Sequence, residues 1–365
     1  MTNHEFYMRL ALQNAMAMKG QTDPNPLVGS VIVNDNRIVG VGAHMKAGEP
    51  HAEIHAIRMA GEHTRGATIY VTLEPCSHHG RTGPCAVAIV EAGIRRVVIA
   101  ALDPNPLVSG RGVAILREAG IEVIVGVCED DSRRMNEVFN KFIVSKLPFL
   151  TLKSAVTMDG KTASYTSDSK WITSEAARED VHLLRNQNAA ILVGVTTIVK
   201  DDSQLTTRVP NGRNPVRVIL DSALRIPMNA KVVTDGEAPT WVFTTPSYDP
   251  GKKKALEEAG VHIFVTGQEG RVDPFEVVRT LGEKSISSLM IEGGSEINAS
   301  FFESRLVDKL VIYMAPKLIG GRGAPTFLEG TGFEKMNEAV EVSQMSVEQI
   351  GKDFKFTGYP IYREH

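Results

Sequence analysis

The sequence predicts an α/β protein of two domains, residues 1–146 and 147–365, and three observations carry that expectation. At 365 residues the chain exceeds the size at which a single hydrophobic core stops growing. Helical and strand periodicities alternate along both halves, a pattern that places helices on the faces of a sheet. Between the halves, Leu147-Pro148-Phe149 punctuates the chain and the strand pattern restarts, so the linker is short.

The elements follow in order. An amphipathic helix is expected over residues 5–19, then strands at 29–33 (GSVIV) and 37–42 (RIVGVG). Residues 51–60 read as a helix with His51 and Glu53 on its first turn. Residues 67–73 read as a strand ending at Glu74-Pro75-Cys76, and 85–92 as a helix before the buried strand 96–101 (RVVIAA). In the second half, short apolar strands recur at 149–155, 190–195, 216–221, 240–245 and 288–294, with helical segments between several of them.

Composition narrows the class. Hydrophobic residues at 42% and charged residues at 23% describe an ordinary globular protein. A formal net charge of -3 creates no field that would gather nucleic acid, so none is expected as a partner. The first ten residues carry an early acid and no long apolar run, which fits neither a signal peptide nor a membrane span. Of three cysteines, two fall in the motif described next. Cys128 is left over, which suits a reducing compartment and a cytoplasmic protein more than a disulfide framework.

The chemistry concentrates in His51-Ala52-Glu53, with Pro75-Cys76 and Cys85 downstream. His51, Cys76 and Cys85 supply three zinc ligands, and Glu53 is a carboxylate outside the ligand set. Structural zinc sites close their tetrahedron with four Cys or His, whereas a catalytic site keeps one position for water. Zinc lowers the pKa of that water to about 7, and a carboxylate beside it can carry protons to a leaving amine. A lone His-x-Glu is a weak signal; joined to Leu-Glu-Pro-Cys and a second cysteine it is strong. The pattern resembles that of zinc-dependent cytosine and adenine deaminases, with one departure. Eight residues, Ser77 to Pro84, separate the cysteines where the commoner spacing is two. Gly80, Gly83 and Pro84 let a loop absorb them. The short spacing would recruit His79, and a closed structural site would use His78 or His79. Cys85 is preferred, because thiolate is the softer ligand and Thr-Gly-Pro-Cys delivers it into a helix start.

The second half carries subtler signals. Glu292-Gly293-Gly294 sits where a strand hands over to a helix, and its glycines let backbone amides approach a phosphate, though such glycines more often only make the turn. Polar residues cluster near other helix starts at 169–174, 182–185, 196–197, 201–202, 205–208 and 221–222. Each alone reads as a cap, a turn or a surface ion pair.

Together the segments resemble, over essentially the whole length, the family of bifunctional riboflavin biosynthesis proteins that join a pyrimidine deaminase to a pyrimidine reductase. The motifs are Asn25-Pro-Leu-Val-Gly29, Gly42-Ala-His44, the 48–53 run GEPHAE and the 72–85 run TLEPCSHHGRTGPC. In the second half they are Met158-Asp159-Gly160-Lys161, Trp171-Ile-Thr-Ser174, Ile291-Glu-Gly-Gly294 and the 315–321 run APKLIGG. The long cysteine spacing is what this family shows. The resemblance implies a cytidine-deaminase-like α/β/α domain followed by a dihydrofolate-reductase-like α/β domain, with one zinc ion per chain and NADPH. It implies deamination of 2,5-diamino-6-ribosylamino-4(3H)-pyrimidinone 5′-phosphate, then reduction of the ribosyl group of 5-amino-6-(5-phosphoribosylamino)uracil to ribityl.

On that resemblance, Glu53 moves the proton, Asn25 and His44 fix the pyrimidine, and His78 and Arg81 meet the phosphate. Reductase substrate contacts fall at Ser169, Arg185, Leu205, Arg208 and Glu292, with Arg185 and Arg208 as phosphate clamps. Cofactor contacts fall at Ala155, Trp171, Thr197, Asp201, Ser222, Gly293 and Gly294, and Lys153 is a candidate proton donor. Glu74, at the end of a strand, reads as a positioning or structural group more than a second catalytic acid. A homo-oligomer built through the second domain's apolar strands is expected. Two other classes compete: a nucleic-acid deaminase whose second domain delivers RNA, marked by salt-sensitive RNA binding, and a zinc-stabilised binding protein, indifferent to Glu53→Gln.

Overall fold

The apolar runs of the first half form the centre of a five-stranded sheet. A computed structural model describes residues 3–77, 83–267 and 270–363. Its contacts divide the chain into Met1–Lys146 and Leu147–His365. The first unit runs α1 (Asn3–Met16), β1 (Gly29–Asn34), β2 (Arg37–Ala43), α2 (Ala52–Ala60), β3 (Thr68–Leu73), α3 (Cys85–Glu91) and β4 (Arg96–Ala101). It ends with α4 (Arg111–Glu118), β5 (Glu122–Val125), α5 (Glu129–Met135) and α6 (Glu137–Ser145). Strand order is β2-β1-β3-β4-β5. β1 is antiparallel to β2 and β3, while β3, β4 and β5 are parallel.

Alternation along each strand divides the core between the two faces. Ile69, Val71, Val97 and Ile99 pack with Ala86, Ile89 and Leu116 on one face. Tyr70, Val98 and Ala100 meet Tyr7, Met8, Ala11 and Leu12 of α1 on the other. Burial on both faces explains why β3 and β4 read as continuous apolar runs. α1 is shorter than the helix expected over 5–19. Beyond Met16, the amides of Met18 and Lys19 bond only three residues back, to Ala15 and Met16, and Gly20 takes φ 90.

The second unit runs β6 (Phe149–Thr157), α7 (Glu175–Asn186), β7 (Ala190–Gly194), α8 (Val195–Asp201), β8 (Val216–Leu220), α9 (Lys231–Thr234) and β9 (Thr240–Thr244). Then come α10 (Pro250–Glu258), β10 (His262–Val265), α11 (Pro274–Glu283), β11 (Ser288–Ile291), α12 (Ser295–Glu303), β12 (Lys309–Ala315), β13 (Glu341–Ile350) and β14 (Asp353–Ile361). Their order is β10-β9-β8-β7-β11-β6-β12-β14-β13. The first seven are parallel neighbours; β14 and β13 add an antiparallel ribbon. Late-coming β11 lies between β6 and β7, so the carboxyl ends of β6, β11, β7 and β8 stand side by side. In open parallel sheets that edge is where ligands bind, at the point where strand order reverses. Among the described residues no helix is long and apolar enough to cross a membrane.

Candidate functional site

In the first unit, β3 ends where the loop to α3 begins, and this brings Cys76 beside the N-termini of α2 and α3. His51 caps α2, and Cys85 is the first residue of α3. One ligand atom each from His51, Cys76 and Cys85 lies within 4.8 Å of the others. His51 Nδ1 is 3.3 Å from Cys85 Sγ and 3.6 Å from Cys76 Sγ, so Nδ1 is the nitrogen facing both sulfurs. A hydrogen bond from Cys85, with further ones from His51 and the Cys85 amide, pulls the Cys76 thiol down to about 4; Cys85 is correspondingly raised. Imidazole plus thiolate is a zinc donor set.

Glu53 lies against the donors, within hydrogen-bonding reach of the Cys85 thiol, only 3% exposed, with Oε2 buried and without a hydrogen-bond partner. Burial pushes its carboxyl up to about 7, the range in which a group can both take and return a proton. His51, Cys76 and Glu53 line one cavity of about 380 Å³ with Asn25 and His44. His44 Nδ1 meets the Pro50 carbonyl at 3.3 Å, which can only accept, so Nδ1 carries the proton. Burial lowers the His44 pKa, and the neutral ring's Nε2 accepts from Asn25 Nδ2 at 3.0 Å. Asn25 Oδ1 is therefore the amide atom left for a ligand.

Glu74 is committed elsewhere. Its Oε1 accepts the amides of Gly112 and Val113 at 2.9 and 3.2 Å, and its Oε2 those of Gly110 and Asp103 at 2.9 and 3.2 Å. This pins the 103–113 segment against the site. Gly112 is required there, because a Cβ would stand 2.0 Å from the Pro75 carbonyl oxygen. The pinned segment brings Asp103 and Asn105 to the cavity wall, two residues that sequence reasoning missed. Their place after β4, parallel neighbour of β3, was the available signal. His78, Arg81 and His79 lie outside the described residues.

In the second unit, Lys153 on β6, Glu292 after β11 and Arg185 on α7 form a partly buried triad. Arg185 donates Nε to Glu292 Oε1 at 2.8 Å and Nη2 to Oε2 at 3.0 Å, and Lys153 Nζ is 3.5 Å from Oε2. Desolvation raises the Glu292 carboxyl, but the charges of Arg185 and Lys153 outweigh it and bring it to about 2. Arg185 also donates Nη1 to the Thr206 carbonyl at 3.1 Å. Of the two arginines expected to clamp phosphate, Arg185 is held in a bidentate pair by Glu292 and Arg208 is exposed. Glu292, expected as a substrate contact, meets Arg185 and Lys153 here.

Lys153, Arg185, Ser169, Leu205 and Arg208 line a cavity of about 420 Å³, as do Ala155, Trp171 and Asp201. Leu205 and Arg208 both take left-handed backbone, φ 58 and 54, which non-glycine residues hold only where surroundings impose it. Here Thr207 supplies the restraint, its amide donating to Asn214 Oδ1 and its hydroxyl to the His182 carbonyl. Asp201 pairs with Lys170 at 3.0 Å. Arg178 and Lys231, which were not anticipated, also face this cavity, as does His182 of the 182–185 polar cluster.

Thr197, Ser222, Gly293 and Gly294 do not line it. They follow the same sheet edge outward: Gly293 and Gly294 after β11, Thr197 on the first turn of α8 after β7, and Ser222 after β8. Gly294 caps α12 and Gly194 caps α8, so two helix N-termini adjoin at neighbouring strand ends. Gly293 has a packing reason as well, since a Cβ there would lie 2.7 Å from Ile297.

Residues 1–101 match the model of the cytidine and deoxycytidylate deaminase zinc-binding region, and residues 148–356 that of the RibD C-terminal domain. Fold and sites together define a bifunctional deaminase and reductase, a hydrolase and an oxidoreductase on one chain. The riboflavin biosynthesis protein RibD of Bacillus amyloliquefaciens is 48% identical over 357 residues, 98% of this chain and 96% of the relative. That of Escherichia coli (strain K12) is 40% identical over 365 residues, 96% of this chain and 97% of the relative. The chain belongs to the RibD family of riboflavin biosynthesis proteins. Among solved structures, Acinetobacter baumannii RibD (form 1) matches at TM-score 0.88 and 38% identity, covering 98% of this chain and 99% of that one. The Thermotoga maritima diaminohydroxyphosphoribosylaminopyrimidine deaminase/5-amino-6-(5-phosphoribosylamino)uracil reductase matches at TM-score 0.84 and 38% identity, with coverage of 98% and 99%. The first unit accordingly has the cytidine-deaminase-like fold and the second the dihydrofolate-reductase-like fold of RibD enzymes.

Proposed function

We propose that the first unit hydrolytically deaminates 2,5-diamino-6-ribosylamino-4(3H)-pyrimidinone 5′-phosphate, and that the second reduces the ribosyl group of 5-amino-6-(5-phosphoribosylamino)uracil with NADPH. The observation that carries this reading is the buried, partnerless Glu53 oxygen beside a thiolate and imidazole donor set. His51, Cys76 and Cys85 would hold zinc, which when bound supplies the Lewis acidity that makes water a nucleophile near neutral pH. Glu53 Oε2 takes the proton of the attacking water and returns it to the departing amine. Asn25 Oδ1, held by neutral His44, accepts from the pyrimidine edge. Asp103 and Asn105 complete the wall around the ring.

In the reductase cleft NADPH supplies the hydride. Lys153 Nζ, kept close by Glu292, donates a proton to the carbonyl oxygen of the opened ribosyl chain as hydride reaches its carbon. The triad of Lys153, Arg185 and Glu292 carries one net positive charge, which favours a phosphate, and Arg208 with Ser169 binds it at the cavity wall. The paired N-termini of α8 and α12 attract the cofactor's pyrophosphate.

We also propose a cytoplasmic location, which suits a site built on free thiols, and a homo-oligomer formed through β13. Val342, Met345 and Val347 are exposed on that edge strand. Val347→Lys should shift the sedimentation of the chain towards monomer; unchanged sedimentation would move the interface elsewhere. The functional test follows ammonia release by zinc-loaded protein without NADPH, then NADPH oxidation after its addition. Both signals in that order support the reading. Ammonia alone would leave the second unit a binding module, and neither signal would send the deaminase to another amine.

A further inference from the structure

Two motifs have no part in the chemistry above, the 158–161 turn and the 315–321 run, and the structure joins them. The Met158 amide donates to the Lys317 carbonyl at 2.8 Å. The Asp159 carboxylate accepts the Ile319 and Gly320 amides at 3.3 and 2.8 Å and the Thr157 hydroxyl at 2.6 Å. Lys161 Nζ ties the far side of the loop, donating to the Ala324 carbonyl at 2.9 Å. From the loop so fixed, Lys317 Nζ donates to the Trp171 carbonyl at 2.6 Å.

Trp171 needs such a restraint. Its side chain is 63% exposed, so core packing does not locate it. Arg178 places its guanidinium 4.4 Å from the ring centroid and donates Nη1 to the Thr173 carbonyl at 2.9 Å. One cation thus holds the ring and another the backbone beneath it. Leu318 and Ile319, also exposed, line with Trp171 and Lys317 a recess of about 260 Å³. The recess and the larger cleft share Ser169, Lys170, Trp171 and Ile172. Apolar side chains clustered at the mouth of a cleft mark a surface that a ligand covers.

We propose that Asp159 and Lys317 are positioning residues for the nicotinamide cofactor. Asp159 fixes the 317–320 segment, Lys317 fixes the Trp171 carbonyl, and Trp171, steadied by Arg178, forms the wall on which the cofactor rests. The proposal rests on the reading of Trp171 as a cofactor contact. The Thr157 hydroxyl and the loop amides hold the Asp159 carboxyl down to about 2, so the clasp persists at working pH.

The chain has two tryptophans, Trp171 and Trp241, so Trp241→Phe leaves Trp171 as the sole fluorescent reporter. In full-length, zinc-loaded protein on that background, NADPH is titrated by quenching of Trp171 emission, alongside reductase kinetics and ammonia release. Lys317→Met should raise the NADPH Kd and KM about five- to tenfold, the effect of losing a charge-assisted contact one step removed from the ligand. It should leave kcat at saturating NADPH within about twofold and should increase acrylamide quenching of free Trp171. Lys317→Arg should recover most of the affinity, ammonia release should not change, and Asp159→Asn should move NADPH affinity in the same direction as Lys317→Met.

An unchanged NADPH Kd in Lys317→Met overturns the clasp; Lys317 is exposed, so that variant decides even if Asp159→Asn fails to fold. Trp171→Ala, measured by NADPH emission, separates the two levels. Weakened binding there with none in Lys317→Met sinks the clasp alone, whereas wild-type binding in Trp171→Ala sinks the cofactor reading and the clasp with it.

Discussion

A buried carboxylate oxygen without a partner is costly and persists where a ligand will meet it, which is how Glu53 differs from Glu74. Glu53→Gln should keep zinc stoichiometric, since Glu53 is not a donor, yet slow ammonia release by about 10³-fold; metal analysis and turnover on one sample check both halves. Glu292 poses the opposite case, a mostly shielded charge answered by two cations. Removing it as Glu292→Gln strands two cations and should destabilise the second unit by about 3 kcal/mol at neutral pH. Its folded carboxyl lies at about 2 against an ordinary 4.5, so its stabilisation is present above pH 4.5 and fades as pH falls towards 2. Melting followed by tryptophan, both copies of which lie in the second unit, should show the gap between wild type and variant closing across that window. The metal cluster was legible in the sequence because each candidate donor sits in a short motif with turn residues around it. The Arg185–Glu292 pairing was not, because 107 residues separate partners that either could have found elsewhere.

At the scale of elements, one side chain organises a whole segment: Glu74 gathers four amides and so places α4 and the Asp103 to Asn105 wall. Glu74→Gln turns one acceptor into a donor facing those amides. It should cost about 2 kcal/mol, lower the first unit's melting by about 5–10 °C, and raise the deaminase KM while the reductase keeps its rate. Strands buried on both faces were readable as apolar runs, as at β3, β4, β7 and β11. Others were hidden for local reasons. β13 loses its alternation at a bulge between Ser343 and Ser346, where Gln344 takes φ 48. β5 has four residues at the sheet margin, none fully buried, and α4 starts from Gly110 in the left-handed region, without a capping side chain. Those features leave neither periodicity nor a start signal to read.

Across the whole molecule, each unit draws its core clusters and its site residues from its own stretch of chain. Chelation should therefore abolish ammonia release and leave NADPH-dependent reduction of the deaminated substrate at its original rate; a parallel loss of both would tie the reductase to the metal. The division into two α/β halves was visible from the seam at Pro148, but the strand order was not, because β11 pairs with β6 and β7 across a long separation that no local pattern encodes. That placement bears on how the protein is born. A ribosome releases β6 and β7 well before β11 exists, so their facing edges stay unpaired until residues 288–291 emerge. The first sheet asks for nothing beyond β5 and can close while the rest is still being made. The half proposed to act first on the substrate is thus the half that can finish folding first, while the second keeps unpaired strand edges open for longer during synthesis.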